Sequence, residues 1–196
     1  MSLREPMVRW LCFSNFVSNS AYGVCAPFLP LEFERKGLPG SLIGIIFALY
    51  SVGSILMSPV VGKHGERFAA KNLLGGSLAL MGITFICFGF IDDMENRVNI
   101  IVLGSVLRLL EGIQCATQVI TCLSVATNDF PDQKEHVFGL VIAASAFGLI
   151  AGPLVGSILY SFLEFKRTFF VYGGAQAVLA LLIRLRLPAR KADQQA

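Results

Sequence analysis

Arg108 and Glu111 are the two charged side chains well inside a long apolar stretch, which runs from Val98 to Asn128. Their spacing of three residues places them on the same face of a helix, where opposite charges pair. A charged side chain at the centre of a bilayer costs at least about 2.5 kcal/mol on insertion scales, so it faces a partner or a water-filled cavity. We interpret the pair as part of a solvated binding cavity.

Uncharged polar residues extend this pattern on two helices. At 100° per residue, four side chains share an arc of about 80° with Arg108 at its margin: Glu111, Gln114, Gln118 and Thr121. Four others share an arc of about 100° on the first apolar stretch: Asn15, Ser18, Asn19 and Tyr22. A single Asn or Gln in a membrane more often hydrogen-bonds between helices. The continuous stripes instead predict two cavity-lining helices, with Arg108 and Glu111 close to Asn15 and Asn19 on an open polar face.

Small residues dominate a later stretch. Gly148, Gly152 and Gly156 are spaced by four, with Ala144, Ser145 and Ala151 close by. Small side chains on one helix face let a neighbouring helix approach closely. Pro153 removes one backbone hydrogen bond and bends the helix. We therefore expect the three glycines to face another helix, with the closest interhelical approach of the bundle at one of them.

Apolar stretches supply the helices that position these residues. The chain has 196 residues, of which 55% are hydrophobic and 15% charged, whereas soluble domains carry about 25% charged residues. A water-soluble helical protein would need charged helix faces, and these stretches show none. Six stretches approach or exceed the roughly 20 residues that cross a bilayer: about 10–29, 42–62, 72–91, 98–124, 137–163 and 168–187. The prediction is an all-α polytopic membrane protein with six spans.

Basic residues in the flanks predict the orientation, because cytosolic segments carry the excess of Lys and Arg. With a cytosolic N-terminus, that side holds ten: Arg4, Arg9, Lys63, Arg67, Lys71, Lys134, Arg184, Arg186, Arg190 and Lys191. The opposite side holds five: Arg35, Lys36, Arg97, Lys166 and Arg167. Both the N-terminus, 1–9, and the polar tail, 188–196, are thus expected in the cytosol. No cleaved signal peptide is expected, since the first apolar stretch is longer than the 7–15 residues of such a segment.

Several function classes find no support. The five cysteines all fall inside spans, where thiols behave as small hydrophobes, and neither they nor His64 and His136 show metal-ligand spacing. No nucleophile–base pair or glycine-rich phosphate loop is present, so we predict neither an enzyme nor a cofactor. The net charge of +3 follows from the topological asymmetry and implies no nucleic-acid partner.

Three motifs together resemble the N-terminal half of the major facilitator superfamily. The first lies between spans two and three, with Ala69 where the family has a glycine: Gly62, Glu66, Arg67 and Lys71. The second, R-x-x-Q-G in the family and linked there to proton coupling, is Arg108, Glu111 and Gly112, with an acid replacing the amide. The third is similar to the span-five motif of drug and amine antiporters, with Ser157 at its final glycine: Gly139, Gly148, Gly152, Pro153 and Gly156.

Within the superfamily the chain, from about Trp10 to Arg190, most resembles the vesicular amine and polyamine transporter branch. The resemblance implies half of a twelve-span fold, a 3+3 inverted repeat, working as a proton-coupled antiporter of organic cations or polyamines in a plasma, vesicle or vacuole membrane. Ser18 replaces the aspartate of the monoamine carriers. Glu111 is implied as the counter-charge for the cation, with Arg108 tuning its protonation.

The resemblance leaves the assembly open, since a complete carrier surrounds a midplane site with two halves. The chain is interpreted as a fragment of a longer carrier, as a half-carrier that pairs with a second copy, or as a non-transporting membrane subunit. Its partners would be membrane lipid, protons and a small organic cation, together with a second copy or a C-terminal half.

Overall fold

The computed structural model describes residues 4–187, apart from the side chains of residues 4, 5 and 66. Within this range the chain forms five α-helices and no strand. The helices are α1 (Arg4–Arg35), α2 (Gly40–His64), α3 (Ala70–Gly89), α4 (Arg97–Asp129) and α5 (Lys134–Arg186). Short 3-10 turns precede α3, α4 and α5: Gly65–Arg67, Phe90–Asp93 and Pro131–Gln133. The predicted polar tail lies outside the described residues.

The fifth helix contains both of the last two predicted spans. It is 53 residues long, which would reach about 80 Å if straight and exceed twice the roughly 30 Å hydrocarbon core. Glu164 interrupts it with φ 62° and ψ −176°, a conformation that a non-glycine residue seldom adopts. The connection left at 164–167 between the last two predicted spans is therefore a break at one residue, and the helix count is five where the sequence predicted six.

Paired contacts give the relative directions of the helices. Asn15 of α1 meets Cys122 of α4, whereas Phe33 meets Gly104, so these two helices run antiparallel. Two hydrogen bonds show the same relation between α3 and α4: Ser77 to Gln118 and Gln114 to Thr84. Helices α1 and α3 therefore run in the same direction.

The two segments of α5 run in opposite directions. Residues 134–163 pack parallel to α1, as three contacts in ascending order show: Gly148 with Phe16, Gly152 with Ser20 and Gly156 with Phe28. Residues 165–186 pack antiparallel to α3: Gly89 with Lys166, Gly82 with Gly173 and Gly75 with Arg184. The break at Glu164 thus divides α5 into two antiparallel segments, one packed on α1 and the other on α3.

Four helical regions are long and apolar enough to cross a membrane by length and composition: Gly40–His64, Ala70–Asp93, Arg97–Asp129 and Pro131–Arg186. Helix α1 is not among them, and it carries the polar stripe predicted from the sequence. The all-helical architecture and these apolar regions make the chain an integral membrane protein.

Two apolar clusters form the interior. Aromatic rings dominate one of them, where Phe169 lies 5.5 Å from Phe85 and 4.5 Å from Phe165 between ring centroids. Aliphatic side chains from the opposite helix ends form the other, including Leu74 and Ile183. The buried polar residues of α4 lie between these clusters along the helix.

Glycines set the closest helix contacts. The prediction that Gly148, Gly152 and Gly156 face another helix is confirmed, since all three are buried against α1. That the closest approach of the bundle lies at one of them stays a prediction. Among the glycines, a Cβ added at Gly112 of α4 would come nearest to a neighbouring atom, the backbone carbonyl oxygen of Tyr50 in α2.

Candidate functional site

The Arg108–Glu111 pair lies inside the bundle. Nη1 of Arg108 donates to Oε2 of Glu111 over 2.7 Å, and both side chains have no exposed surface. The contact joins residues three apart on α4, as predicted from their spacing. It pairs two charges that would otherwise be costly to bury.

Aromatic rings from two other helices enclose the guanidinium. Its Cζ lies 3.7 Å from the ring centroid of Phe47 in α2 and 5.7 Å from that of Tyr22 in α1. Tyr22 in turn packs on Tyr50, with centroids 4.7 Å apart. A cation within about 6 Å of a ring face is attracted by its quadrupole. The aromatic groups thus share with Glu111 the stabilisation of the buried positive charge.

Close packing of α2 on α4 places these rings. Gly112 follows Glu111 directly and lies against the backbone of Tyr50, while Gly53 lies against the backbone of Leu109. A side chain at either glycine would separate the two helices. Gly112 therefore acts on the site by letting α2 come close enough for Phe47 to reach Arg108.

The ion pair leaves polar atoms unpaired. Oε1 of Glu111 and both Nε and Nη2 of Arg108 are buried without a hydrogen-bond partner. The Cys25 thiol of α1 lies beside the Glu111 carboxylate. An unsatisfied buried polar group costs about 1–3 kcal/mol. The site therefore has hydrogen-bonding capacity that the folded chain does not use.

The predicted open face is not observed. Arg108 and Glu111 are fully buried among α1, α2 and α4 because the aromatic rings cover them. Asn15 donates instead to Sγ of Cys122 over 2.7 Å. Cys122 lies about 16 Å beyond Glu111 along α4, so Asn15 belongs to another level of the bundle.

Asn19 bonds within its own helix. Its amide donates to the backbone carbonyl of Asn15 over 2.9 Å. Of the predicted stripe on α1, only Tyr22 is shown in contact with the charged pair. The shared arc on the helix was correct for side-chain direction, but from Asn15 to Tyr22 it spans about two turns, or about 10 Å of membrane depth.

The remaining polar side chains of α4 face α3. Gln114 donates to Oγ1 of Thr84 over 2.9 Å, and Gln118 accepts from Ser77 over 2.7 Å. Oγ1 of Thr121 is buried without a partner. The stripe therefore divides into a charged part against α1 and α2 and an amide part that links α4 to α3.

Comparison with known proteins decides the family. The sequence profile described as Major Facilitator Superfamily matches residues 11–196. The chain belongs to the Major Facilitator Superfamily.

Named relatives agree with this membership. Among them is the human "MFS-type transporter SLC18B1", 28% identical over 179 residues, or 91% of this chain and 39% of that protein. "Multidrug resistance protein MdtG" of Escherichia fergusonii is 27% identical over 173 residues, covering 86% and 40%. "Tetracycline resistance protein, class E" of Escherichia coli is 28% identical over 144 residues, covering 72% and 34%. The chain spans about two fifths of the length of the relatives it matches, and it resembles the N-terminal half of a superfamily transporter.

The residues of the loop motif and of the α5 motif differ in burial and in their helix contacts. Gly62 and Arg67 are exposed, Lys71 is half-buried, and the side chain of Glu66 lies outside the described residues. Gly139 is exposed, with nothing within 4 Å of an added Cβ. Pro153 packs against Gly23 of α1. The α5 motif thus makes helix contacts from Gly148 onward, whereas its first glycine faces outward.

Two site residues escaped sequence reasoning. Phe47 and Tyr50 lie three apart in a span without charges, where aromatic residues are common and carry no signal alone. Their spacing matches that of Arg108 and Glu111, but only the pairing of α2 with α4 reveals that the two sets meet. Groups of three or more His, Cys, Asp or Glu suited to a metal ion do not occur among the described residues.

Proposed function

We propose that the chain forms one half of a secondary transporter that exchanges protons for organic cations or polyamines. The observation that carries this proposal is the buried Arg108–Glu111 pair beneath Phe47 and Tyr22. A carboxylate in such a setting either binds a cation or takes up a proton, because burial of an uncompensated negative charge is unfavourable. Proton and cation would therefore compete for Glu111.

The spans of this half are proposed to number six, with the break at Glu164 separating the last two. Opposite directions of the two α5 segments support that count. Both termini would lie in the cytosol, in a plasma, vesicle or vacuole membrane. In a chain whose five native cysteines are replaced, single cysteines introduced at Gln133 and at Glu164 should then react with membrane-impermeant maleimide from opposite sides, and labelling from the same side would contradict the topology.

Arg108, Glu111 and Tyr22 form the proposed binding and coupling group. Asn15, Asn19, Gln114 and Gln118 were predicted to share this role, and it stays a prediction for them. The conformational role of the loop and α5 motifs, including Gly62, Glu66, Arg67, Lys71 and Gly139, likewise stays a prediction. A second copy or a C-terminal half would complete the carrier, because such sites lie between two halves.

Uptake into proteoliposomes tests the proposal. Labelled spermidine should accumulate when a pH gradient is imposed, and collapse of the gradient should abolish accumulation. Glu111→Gln should lose the dependence on the gradient, because the amide does not titrate, while Glu135→Gln alters an exposed glutamate of the same kind and serves as the control. Gradient-independent flux, or no flux of any organic cation with the completing half present, would refute antiport.

A second function is favoured by the complete burial of Arg108 and Glu111, which is also what a purely structural ion pair would show. In that case the chain is a non-transporting membrane subunit. It would migrate as a stable heteromeric complex on a native gel, and cells carrying Glu111→Ala would grow like wild type. Loss of uptake in the Glu111→Gln chain, with the complex intact, would exclude this alternative.

A further inference from the structure

The Arg108 head group lies over the face of the Phe47 ring. Its Cζ lies 3.7 Å from the ring centroid, which is the contact distance of two flat groups. A guanidinium is planar and stacks on aromatic faces, whereas an ammonium is a compact tetrahedral point charge. The Phe47 ring therefore presents a surface that suits a planar cation.

The internal pair uses only one of the two carboxylate oxygens of Glu111. A guanidinium and a carboxylate form two parallel hydrogen bonds when both are free to align. Arg108 is tied to Glu111 by its position three residues earlier on α4, and it makes one such bond of 2.7 Å. Oε1 of Glu111 is left buried and without a hydrogen-bond partner. A guanidinium without that tether could take up the second oxygen.

We propose that Phe47, Tyr22 and Glu111 form a guanidinium-binding site, which Arg108 occupies here as an internal ligand. The preferred ligands are cations with a planar guanidinium or amidinium head, and the proposal rests on the function proposed above. Arg108 keeps Oε2 of Glu111 and turns toward Tyr22, whose ring is already 5.7 Å from its Cζ. The incoming head group then stacks on Phe47 and bonds to Oε1.

Binding to the wild-type chain gives the first test. Calorimetric titration in nanodiscs would compare agmatine, which carries one guanidinium and one ammonium, with cadaverine, a diamine of similar length. We expect agmatine to bind about tenfold more tightly, the factor that stacking on a desolvated ring supplies. Phe47→Leu should remove most of this preference, because it should weaken agmatine binding more than cadaverine binding. Equal affinities in the wild type would overturn the proposal.

Removal of the internal ligand gives the second test. Arg108→Ala should be stabilised by added ethylguanidinium, seen as a rise of several degrees in Tm, but not by ethylammonium of the same charge. The double variant Arg108→Ala with Glu111→Gln should show no such rise. Equal stabilisation by both cations contradicts the proposal. If Arg108→Ala does not fold, the agmatine comparison in the wild type and Phe47→Leu decides alone.

The outcomes separate this proposal from the proposed function. Gradient-driven spermidine uptake without any preference for agmatine would leave the antiporter standing and remove the guanidinium site. Selective agmatine binding that depends on Phe47, without transport of any cation by the completed carrier, would leave the site standing and remove the antiporter.

Discussion

The contact of α2 with α4 and the contact of α1 with α5 both depend on glycines, but different side chains lie beside the two contacts. In each, glycines bring two helix backbones together: Gly53 and Gly112 in the first, Gly148 and Gly152 in the second. A buried ion pair lies beside the first contact, whereas beside the second Ser145 of α5 donates to Oδ1 of Asn15 in α1 over 3.5 Å. Close backbone approach is therefore not itself a sign of a functional site.

The two contacts differ in the residues that lie next to their glycines. At Gly112 the adjoining residue is Glu111, and the near backbone belongs to Tyr50, three residues from Phe47. The α2–α4 contact thus sets the depth at which aromatic rings cover a charge. At Gly152 the near backbone is that of Ser20, whose hydroxyl hydrogen-bonds Tyr172 over 3.3 Å, so this contact holds α1 and α5 together. Substitutions in the α2–α4 contact should accordingly change both stability and ligand binding, whereas substitutions in the α1–α5 contact should change stability alone.

Loss of the Arg108 side chain should have the largest effect on stability. Arg108→Ala leaves a buried carboxylate without its partner, and breaking such a pair typically costs about 3–5 kcal/mol. Thermal melting monitored by fluorescence size-exclusion should show a large fall in Tm relative to wild type. Arg186→Ala, which alters an exposed arginine near the end of α5, is the control. A fall no larger than that of Arg186→Ala would show that the pair is energetically unimportant.

A methyl group at Gly112 should rank second. Gly112→Ala directs a Cβ into the Tyr50 carbonyl, which is backbone and cannot rotate away, so we expect a cost of about 3 kcal/mol. Gly174→Ala makes the same change where nothing lies within 4 Å, and should be neutral or slightly stabilising. Agmatine binding should weaken in Gly112→Ala as Phe47 moves off Arg108. Unchanged binding would separate the packing at Gly112 from the site.

Sequence reasoning reached the parts of the site that depend on one helix. The pairing of Arg108 with Glu111 follows from a spacing of three, and the buried face of α5 follows from glycines spaced by four. It failed where two helices had to be matched, because periodicity does not encode that Phe47 lies over Arg108 or that Asn15 meets Cys122. It predicted the reversal as a connection over 164–167 and missed that the reversal occurs at the single residue Glu164, since a positive φ at a glutamate has no turn residue to signal it.

Within the α1–α5 contact, Gly156 should be more tolerant than Gly112. A Cβ there would meet the ring of Phe28 at 2.9 Å and a methyl of Val24 at 3.0 Å, which are side chains that can shift. Gly156→Ala should therefore cost about 1 kcal/mol, at the low end for an overpacked core. The same melting assay measures it, and agmatine affinity should stay at the wild-type value. A cost equal to that of Gly112→Ala would mean that the two contacts are equally rigid.

The smallest effect is expected at Gln114, where the two interpretations of the polar stripe can be separated. Its amide nitrogen bonds Thr84 across to α3, while its Oε1 is buried without a partner. Gln114→Met removes one hydrogen bond, worth about 0.6 kcal/mol between membrane helices, and also removes the unpaired oxygen. The change in stability should therefore stay within about 1 kcal/mol in either direction.

If the side chain only links α4 to α3, spermidine uptake and its pH dependence should match the wild type. Thr84→Val, which deletes the partner hydroxyl at similar volume, should then behave in the same way. Loss of uptake in Gln114→Met but not in Thr84→Val, with both chains stable, would instead support the original prediction that Gln114 contacts the substrate or proton.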